Sequence, residues 1–260
     1  MTTDDKSRQD REREFHDALF AQEGEARTEA GRFYSIVERS QTSYWDAVTS
    51  RAKDADCVEY GCAYGEQTIQ LSHVAASAVG MDISPVVIDK ARQAADDAHS
   101  PARFEVAEAE RLPFSASSFD LAFGNSVLHH LELRPALDEM ARVLRPSGSG
   151  VFSEPLGHNP LINWYRHRTP EMRTPDEHPL VRSDFGLFRE YFEDVKVEFF
   201  HLAALGSVLL SGKRGFRSLL RGLDSVDRWL LKAVPPLGYY AWVCVVTLEG
   251  PKKLSQRATS

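Results

Sequence analysis

From Asp56 onward, short apolar runs alternate with longer segments that are apolar on one side only. The runs are four or five residues long and rich in Val and Phe, which suits strands. They predict strands over Asp56–Tyr60, Ala78–Met81, Arg103–Val106, Phe119–Phe123 and Gly150–Ser153. The intervening segments predict helices near Glu66–Val74, Pro85–Ala98 and Pro135–Leu144. Pro85 and Pro135 suit a first helical turn, where a missing N–H costs little, and Ser84 suits the N-cap before Pro85. Strands separated by helices imply right-handed crossovers and a parallel sheet. Lys196–His201 and Tyr240–Leu248 are β-rich and add a sixth strand and an antiparallel seventh.

Upstream, residues 1–14 are mostly polar and read as a frayed or solvated helical extension. Phe15, Leu19, Ala26, Ala30, Phe33, Tyr34 and Val37 form a rough helical stripe interrupted at Gly24 and Gly31, and a short helix follows over Tyr44–Ala52. Two stretches depart from the repeating unit. Residues 154–180 are rich in Pro, His and Arg; residues 202–234 are helical in character, with Leu219, Leu220, Leu223, Val226, Trp229 and Leu230 on a helical spacing. Insertions after strand ends shape the substrate side of an open α/β sheet. The chain therefore divides into an N-terminal helical arm and ligand cover (1–43), a core (44–154), lid insertions with the sixth strand (155–235), and a seventh strand with a tail (236–260).

Composition narrows the function. The chain has 260 residues, 42% hydrophobic and 27% charged, with 31 basic and 38 acidic residues giving a net charge of −7. That balance opposes a nucleic-acid binder relying on an overall positive field. Cys57, Cys62 and Cys244 show no zinc spacing and read as reduced thiols, no other ligand set for a metal stands out, and none is expected. The charged N-terminus has no apolar leader, and no apolar run approaches the ~18 residues needed to span a bilayer. The expectation is a cytoplasmic protein with no stable membrane insertion. Residues 4–15 are a candidate arm for homo-oligomerisation.

The stretch VEYGCAYGEQT (58–68) marks where the first strand hands over to its helix. A dinucleotide fingerprint wants Gly-x-Gly-x-x-Gly, but the three positions hold Gly61, Ala63 and Glu66. Glu66 would crowd the helix–strand packing and set a carboxylate where a pyrophosphate needs the positive helix end. A ligand without phosphate fits better. S-adenosylmethionine carries adenine, ribose, a sulfonium, an ammonium and a carboxylate. Glu59 at the strand end can face the ammonium. Gly61 and Ala63 let the backbone approach the amino-acid portion, and Gly65 lets the chain turn into its helix. Asp82, 21 residues beyond Gly61, ends the second strand and can accept both ribose hydroxyls, with Ile83 on the adenine face. After the third strand, Glu108 can accept from the adenine amino group and the Ala109 N–H can donate to a ring nitrogen; Glu110 is left to solvent.

The runs EYGCAYG, GMDIS, EAERLPF, SSFDLAFGNSVLHHL and LRPSGSGVFSEP, over about Ser43–Glu154, resemble class I S-adenosylmethionine-dependent methyltransferases. The likeness is strongest to the small-molecule branch (methyltransferase type 11) that includes quinone C-methyltransferases. Ala63 replaces the family's usual middle glycine, and Glu108 stands where Asp is common. The resemblance implies a Rossmann-like seven-stranded mixed sheet of order 3-2-1-4-5-7-6, with strand 7 antiparallel, helices on both faces and a helical cap. It also implies methyl transfer from S-adenosyl-L-methionine to a small-molecule acceptor.

Cofactor contacts are therefore expected at Glu59, Gly61, Ala63, Gly65, Asp82, Ile83, Glu108, Ala109 and Asn125, with Tyr34 and Tyr44 as covering side chains or core aromatics. His158 and Glu154, just past the fifth strand, and His130 are the candidate catalytic groups. Each has a structural reading beside it: a loop histidine bonded to backbone, a carboxylate that fixes the loop, a packing residue. The basic lid residues Arg166, Arg168, Arg173, Arg182 and His178 are either surface ion pairs or a seat for an anionic substrate. The late aromatics (Trp164, Tyr165, Phe185, Phe188, Tyr191, Phe192, Phe199, Phe200) are mostly core, and any that line the pocket suit a hydrophobic or aromatic acceptor. Three other readings stay open: C-methylation of an isoprenoid double bond with cyclisation, a sulfonium-binding cyclase, and a non-catalytic partner subunit.

Overall fold

The structure, a computed structural model, describes residues 7–21, 36–170, 173–174 and 176–253. The elements run α1 Arg8–Ala21, α2 Glu38–Ala52, β1 Asp56–Tyr60, α3 Glu66–Leu71, β2 Ser77–Asp82, α4 Pro85–Asp97, β3 Arg103–Val106, β4 Phe119–Asn125, α5 Leu133–Val143 and β5 Leu144–Pro155. After these come α6 Pro160–Arg168, α7 Asp184–Tyr191, β6 Phe192–Phe200, α8 Phe216–Ala233 and β7 Val243–Pro251. The strands form one seven-stranded sheet of order β3-β2-β1-β4-β5-β7-β6. The pairs β1–β2, β1–β4, β2–β3 and β4–β5 are parallel, and β7 runs antiparallel to both β5 and β6. The expected order and the reversed strand are both present.

Side chains that alternate along each strand feed two cores. On one face Tyr44, Val48 and Ala52 of α2 pack with Leu121, Phe123, Val151 and Val245. On the other, Val58, Tyr60, Ala122, Phe152 and Val246 pack with Leu137 and Met140 of α5 and Phe185 and Phe188 of α7. Helices on both faces bury β1, β4 and β5 from two sides, so apolar residues such as Leu121, Ala122 and Phe123 occupy consecutive positions. Segments 155–235 and 236–260 supply β6 and β7 to this same sheet. Their insertions sit above the carboxyl ends of β4 and β5, where the site lies.

Three expectations change. The fifth strand starts at Leu144, six residues before its expected start at Gly150. The run LRPSGSG has turn composition, and the register against β4 shifts between Phe119 and Leu121 there. The helical segment 202–234 is split into a short 3-10 turn at Ala204–Leu210 and α8, with Gly212 and Gly215 both left-handed between them. Within α8 the expected apolar stripe divides: Leu220 is buried, but Val226 and Trp229 are exposed. Asp227 takes the inward place instead, accepting the N–H groups of Leu202, Ala203 and Ala204 at 3.1, 2.6 and 3.1 Å. Finally, Arg8–Phe15 is an ordered part of α1 rather than a solvated extension, docked by side chains described below.

Gly65 caps α3 with φ +76°, and a Cβ there would run into the Phe104 ring. Gly65→Ala combines a left-handed residue with overpacking, so it should destabilise the fold by about 2–4 kcal/mol. Urea unfolding followed by circular dichroism measures this; an effect no larger than that of a surface substitution would show that α3 and β3 part to admit the methyl group.

Candidate functional site

A crevice of about 240 Å³ opens at the carboxyl ends of β1, β2 and β4. Its floor includes Gly61, where φ is +63° and a Cβ would come within 3.0 Å of Val127. Ala63 adopts φ +45°, a conformation that strains a residue bearing a Cβ. Its N–H donates to Asp82 Oδ2 at 3.2 Å, and the Ser84 N–H donates to Oδ1 at 3.0 Å. Two backbone N–H groups thus hold the carboxylate at the crevice wall. Ile83, Glu108, Ala109, Asn125 and His130 also line it. Asn125 is oriented by a 3.1 Å hydrogen bond from its Nδ2 to Gln41 Oε1 of α2.

Helix α1 crosses the mouth. Arg8 donates to Glu110 and to the His130 carbonyl, Gln9 donates to Glu110 at 3.1 Å, and Arg13 reaches Glu108 at 3.3 Å. Further along α1, Ser84 donates to Asp17. The other side of the helix is tied to the lid: Thr174 donates to the buried Glu12 at 2.5 Å, and Arg11 makes two 2.8 Å bonds to Asp176. Arg8, Gln9 and Glu12 thus become walls of the crevice, a role that sequence reading missed in a segment taken as a polar extension. Glu110, expected to be solvated, is 11% exposed and paired with Arg8.

The charge of this crevice is its clearest property. Glu12, Asp82, Glu108 and Glu110 line it, against Arg8 and His130. Glu12 lies 3.2 Å from His130 Nδ1. Burial works against charging that imidazole, but Glu12, with Glu177 and Glu154, raises its pKa overall. Below the floor lies Glu59, 5% exposed and hydrogen-bonded by Thr68 of α3. Burial pushes its carboxyl up to about 8, against the Thr68 hydrogen bonds and with Asp82 and Glu66 adding to the rise. An acid-lined crevice with its backbone drawn close suits a cationic ligand bearing a ribose, and repels a pyrophosphate.

A second cavity of about 290 Å³ shares Ser126 with the crevice. His129, Glu154 and Gln41 line it, as do Ile162, Arg166 and Arg173 from the lid. Glu154 is fully buried and accepts the N–H groups of Val127 and Leu128 at 2.9 and 2.8 Å and His129 Nδ1 at 2.8 Å. The adjacent histidines therefore serve different cavities: His130 faces the crevice and His129 the second cavity. Sequence reading named His130 as the catalytic candidate, whereas the carboxylate-bound ring on the second cavity is His129; the missing signal was Glu154, its partner 25 residues away. His129, His130 and Glu177 also bring one potential metal-ligating atom each within 4.8 Å of one another. Glu177 is engaged there by Arg166 at 3.1 Å and Arg173 at 3.7 Å.

Other expected residues fall elsewhere. His158 accepts the Arg182 N–H at 3.1 Å through Nε2 and lines neither cavity, so it is a loop histidine bonded to backbone. Tyr44 is fully buried in the α2 core, donating to Gln67 at 3.0 Å, and does not cover the crevice. Tyr34 lies outside the described residues. Glu59 and Gly65 support the crevice from beneath without lining it. Of the late aromatics, Tyr165 reaches the second cavity, Trp164 is exposed beneath Arg168, and Phe185, Phe188, Tyr191, Phe192 and Phe200 are core.

Comparison with known proteins agrees with this geometry. Residues 58–152 match a family model described as a methyltransferase domain. An uncharacterized methyltransferase, YodH of Bacillus subtilis, is 33% identical over 108 residues, 42% of this chain and 46% of that protein. The O-methyltransferase cnsE of Penicillium expansum is 33% identical over 119 residues, 43% of this chain and 42% of its own length. The matches thus span less than half the length of these relatives. Among solved structures, the N-methyltransferase NodS of Bradyrhizobium japonicum, in complex with S-adenosyl-L-homocysteine, superposes with a TM-score of 0.55 at 16% identity, over 84% of this chain and 88% of that one. The fold is that of class I methyltransferases, and the cofactor of that domain is S-adenosylmethionine. No described helix is long and apolar enough to cross a membrane.

Glu59 gives a pH signature. Its carboxyl ionises near 4.5 when exposed and near 8 when folded, so the folded chain holds the extra proton. That contribution to stability is complete below about pH 4.5 and is lost as pH rises through about 8. Glu59→Gln keeps the neutral form at every pH and should flatten this decline. Urea midpoints compared between about pH 5 and pH 8 test it; parallel wild-type and variant curves would show that Glu59 ionises normally in the fold.

Proposed function

We propose that this chain, whose core is a class I methyltransferase domain, transfers a methyl group from S-adenosylmethionine to a small molecule seated in the second cavity. The observation that carries the reading is the pairing of an acid-lined crevice with a cavity that meets it at Ser126 and presents a carboxylate-bound histidine. The bound cofactor supplies an activated methyl group on a cationic sulfur, for in-line displacement by the acceptor.

The chain's own residues do the rest. Asp82, set by two backbone N–H groups, accepts the ribose hydroxyls, Glu108 and the Ala109 N–H read the adenine, and Gly61 leaves room for the amino-acid portion. Glu59 sits below the crevice, where an ammonium bound above it would favour the ionised carboxylate against the burial that raises its pKa. Helix α1 excludes water from the crevice through its contacts to Glu108, Glu110 and His130. With Nδ1 committed to Glu154, His129 is left with Nε2 to take a proton from an acceptor hydroxyl or amine. In this reading Glu154 is the positioning group, and neither His158 nor His130 is the base.

Arginines beside the acceptor would repel a carbocation, so the isoprenoid cyclisation reading is disfavoured. A cyclase that keeps its cofactor, or a partner subunit without turnover, would never release S-adenosylhomocysteine. Incubation with methyl-labelled S-adenosylmethionine and a panel of hydroxyl, amine and carboxylate acceptors should give labelled product and S-adenosylhomocysteine in equal amounts. Asp82→Ala should weaken cofactor binding by about tenfold or more in calorimetry. His129→Gln should lower kcat by about 10²–10⁴-fold with cofactor affinity retained. Unchanged cofactor affinity in the Asp82 variant would refute the assignment of the crevice.

A further inference from the structure

The lid wall of the second cavity is built around guanidinium groups. Arg166, on the last turn of α6, is 15% exposed in its side chain, and Arg173 is 19% exposed. Both point at one carboxylate: Glu177 lies 3.1 Å from Arg166 Nη2 and 3.7 Å from Arg173 Nε. Arg173 Nη1 is otherwise satisfied by the Arg166 and Thr169 carbonyls at 3.2 and 2.8 Å and by Thr169 Oγ1 at 2.9 Å. Arg166 Nη1 is buried and has no hydrogen-bond partner among the described residues.

The lining as a whole holds two arginines and two acids, but only one of those acids meets the arginines. Two guanidinium groups share Glu177, while Glu154, the other acid of this cavity, is committed to backbone N–H groups and His129. Ser126, Ser153 and Gln41 are neutral. Burial pulls the Arg166 guanidinium below its usual pKa, with Arg173 adding to the effect against Glu177. A cation kept out of water with an unmade hydrogen bond is costly unless a ligand completes it. Val37, Ile162 and Trp242 add apolar lining.

We infer that the second cavity selects an acceptor carrying an anionic group, a carboxylate or a phosphate monoester, which docks against the Arg166 guanidinium while its carbon skeleton lies against Val37, Ile162 and Trp242. Calling that ligand the acceptor rests on the methyl-transfer reading; the anion seat itself does not. The fork of Arg166 suits two parallel N–H···O bonds, for which lysine is no substitute. Specificity then comes from the lid rather than from the family-like core, since residues 58–152 include neither arginine.

The test titrates phenylacetate, hexanoate, phenyl phosphate and hexyl phosphate into the protein by calorimetry, with phenylacetamide and hexanamide as neutral counterparts. Each series is run with and without saturating S-adenosylhomocysteine. At least one acid should bind, and its amide should bind on the order of tenfold to a hundredfold more weakly. Arg166→Gln and Arg166→Lys should both lose that preference, while Arg168→Gln, an exposed position on the same helix, keeps it. Thermal melting and retained S-adenosylhomocysteine binding show that each variant is folded. The carboxylate and phosphate arms identify which anion the seat prefers. Binding of amides as tight as that of acids, unchanged acid binding in both Arg166 variants, or no binding of any probe would overturn the proposal. Arg166-dependent acid binding in a protein that does not bind S-adenosylhomocysteine would instead sink the methyltransferase reading and leave the anion seat standing.

Discussion

The site depends on one buried carboxylate. Glu154, at the end of β5, reaches across to the turn after β4 and gathers the N–H groups of Val127 and Leu128 together with the His129 ring. A fully buried acid is tolerable only where donors replace its water. Here the donors belong to the turn that separates the two cavities. Ser126, which precedes it with φ +58°, borders both; Val127 limits the floor of the crevice; His130 lines the crevice and His129 the second cavity, their rings 4.2 Å apart. Without that acceptor the N–H groups of the turn would be buried and unpaired, and the boundary between cofactor and acceptor would have no fixed shape.

Around this pivot the molecule separates charge. The crevice at β1 and β2 is acidic, and the cavity under the lid has two guanidinium groups on a single uncommitted acid. The two regions are linked by α1, whose Arg8 and Arg13 hold the acids of the crevice while its Arg11 and Glu12 hold Asp176 and Thr174 of the lid. The stretch Arg8–Glu14, which reads as a polar extension and has six charged side chains among seven residues, is therefore explained by its place between two polar surfaces.

What the sequence made legible follows from how each feature is encoded. Strand identity was readable because buried strands need apolar, β-forming residues, as Leu121 to Phe123 show, while strand order came from the family resemblance. Asp82 and Gly61 were readable because backbone geometry at a strand end dictates them locally. The start of β5 was not, since Pro146 and Gly148 read as a turn although the segment pairs in the sheet. Nor were the inward face of α8, which is set by three distant N–H groups seeking Asp227, and the roles of His129 and Arg166. Those roles depend on partners far along the chain, and single-sequence patterning carries no record of such pairs.

The same reasoning favours His129 over His158 as the base of the proposed transfer. A histidine does useful proton transfer when one nitrogen is fixed by an acceptor and the other is left for substrate. At His158 the nitrogen Nε2 is consumed by the Arg182 N–H, and the ring lies 6.1 Å from that of Tyr240, away from both cavities. At His130 the nearest partner is the Glu12 carboxylate, which favours a charged ring and so a proton donor or counter-ion, not an acceptor. Only His129, of these three, combines an orienting carboxylate with a wall position in the acceptor cavity. An anionic acceptor docked on Arg166 would be held in that cavity with its reactive atom free to turn toward both His129 and Ser126, the border shared with the crevice. Binding energy drawn from a remote charge would then fix orientation at the reacting centre, which is how such a site gains rate without a nucleophile of its own.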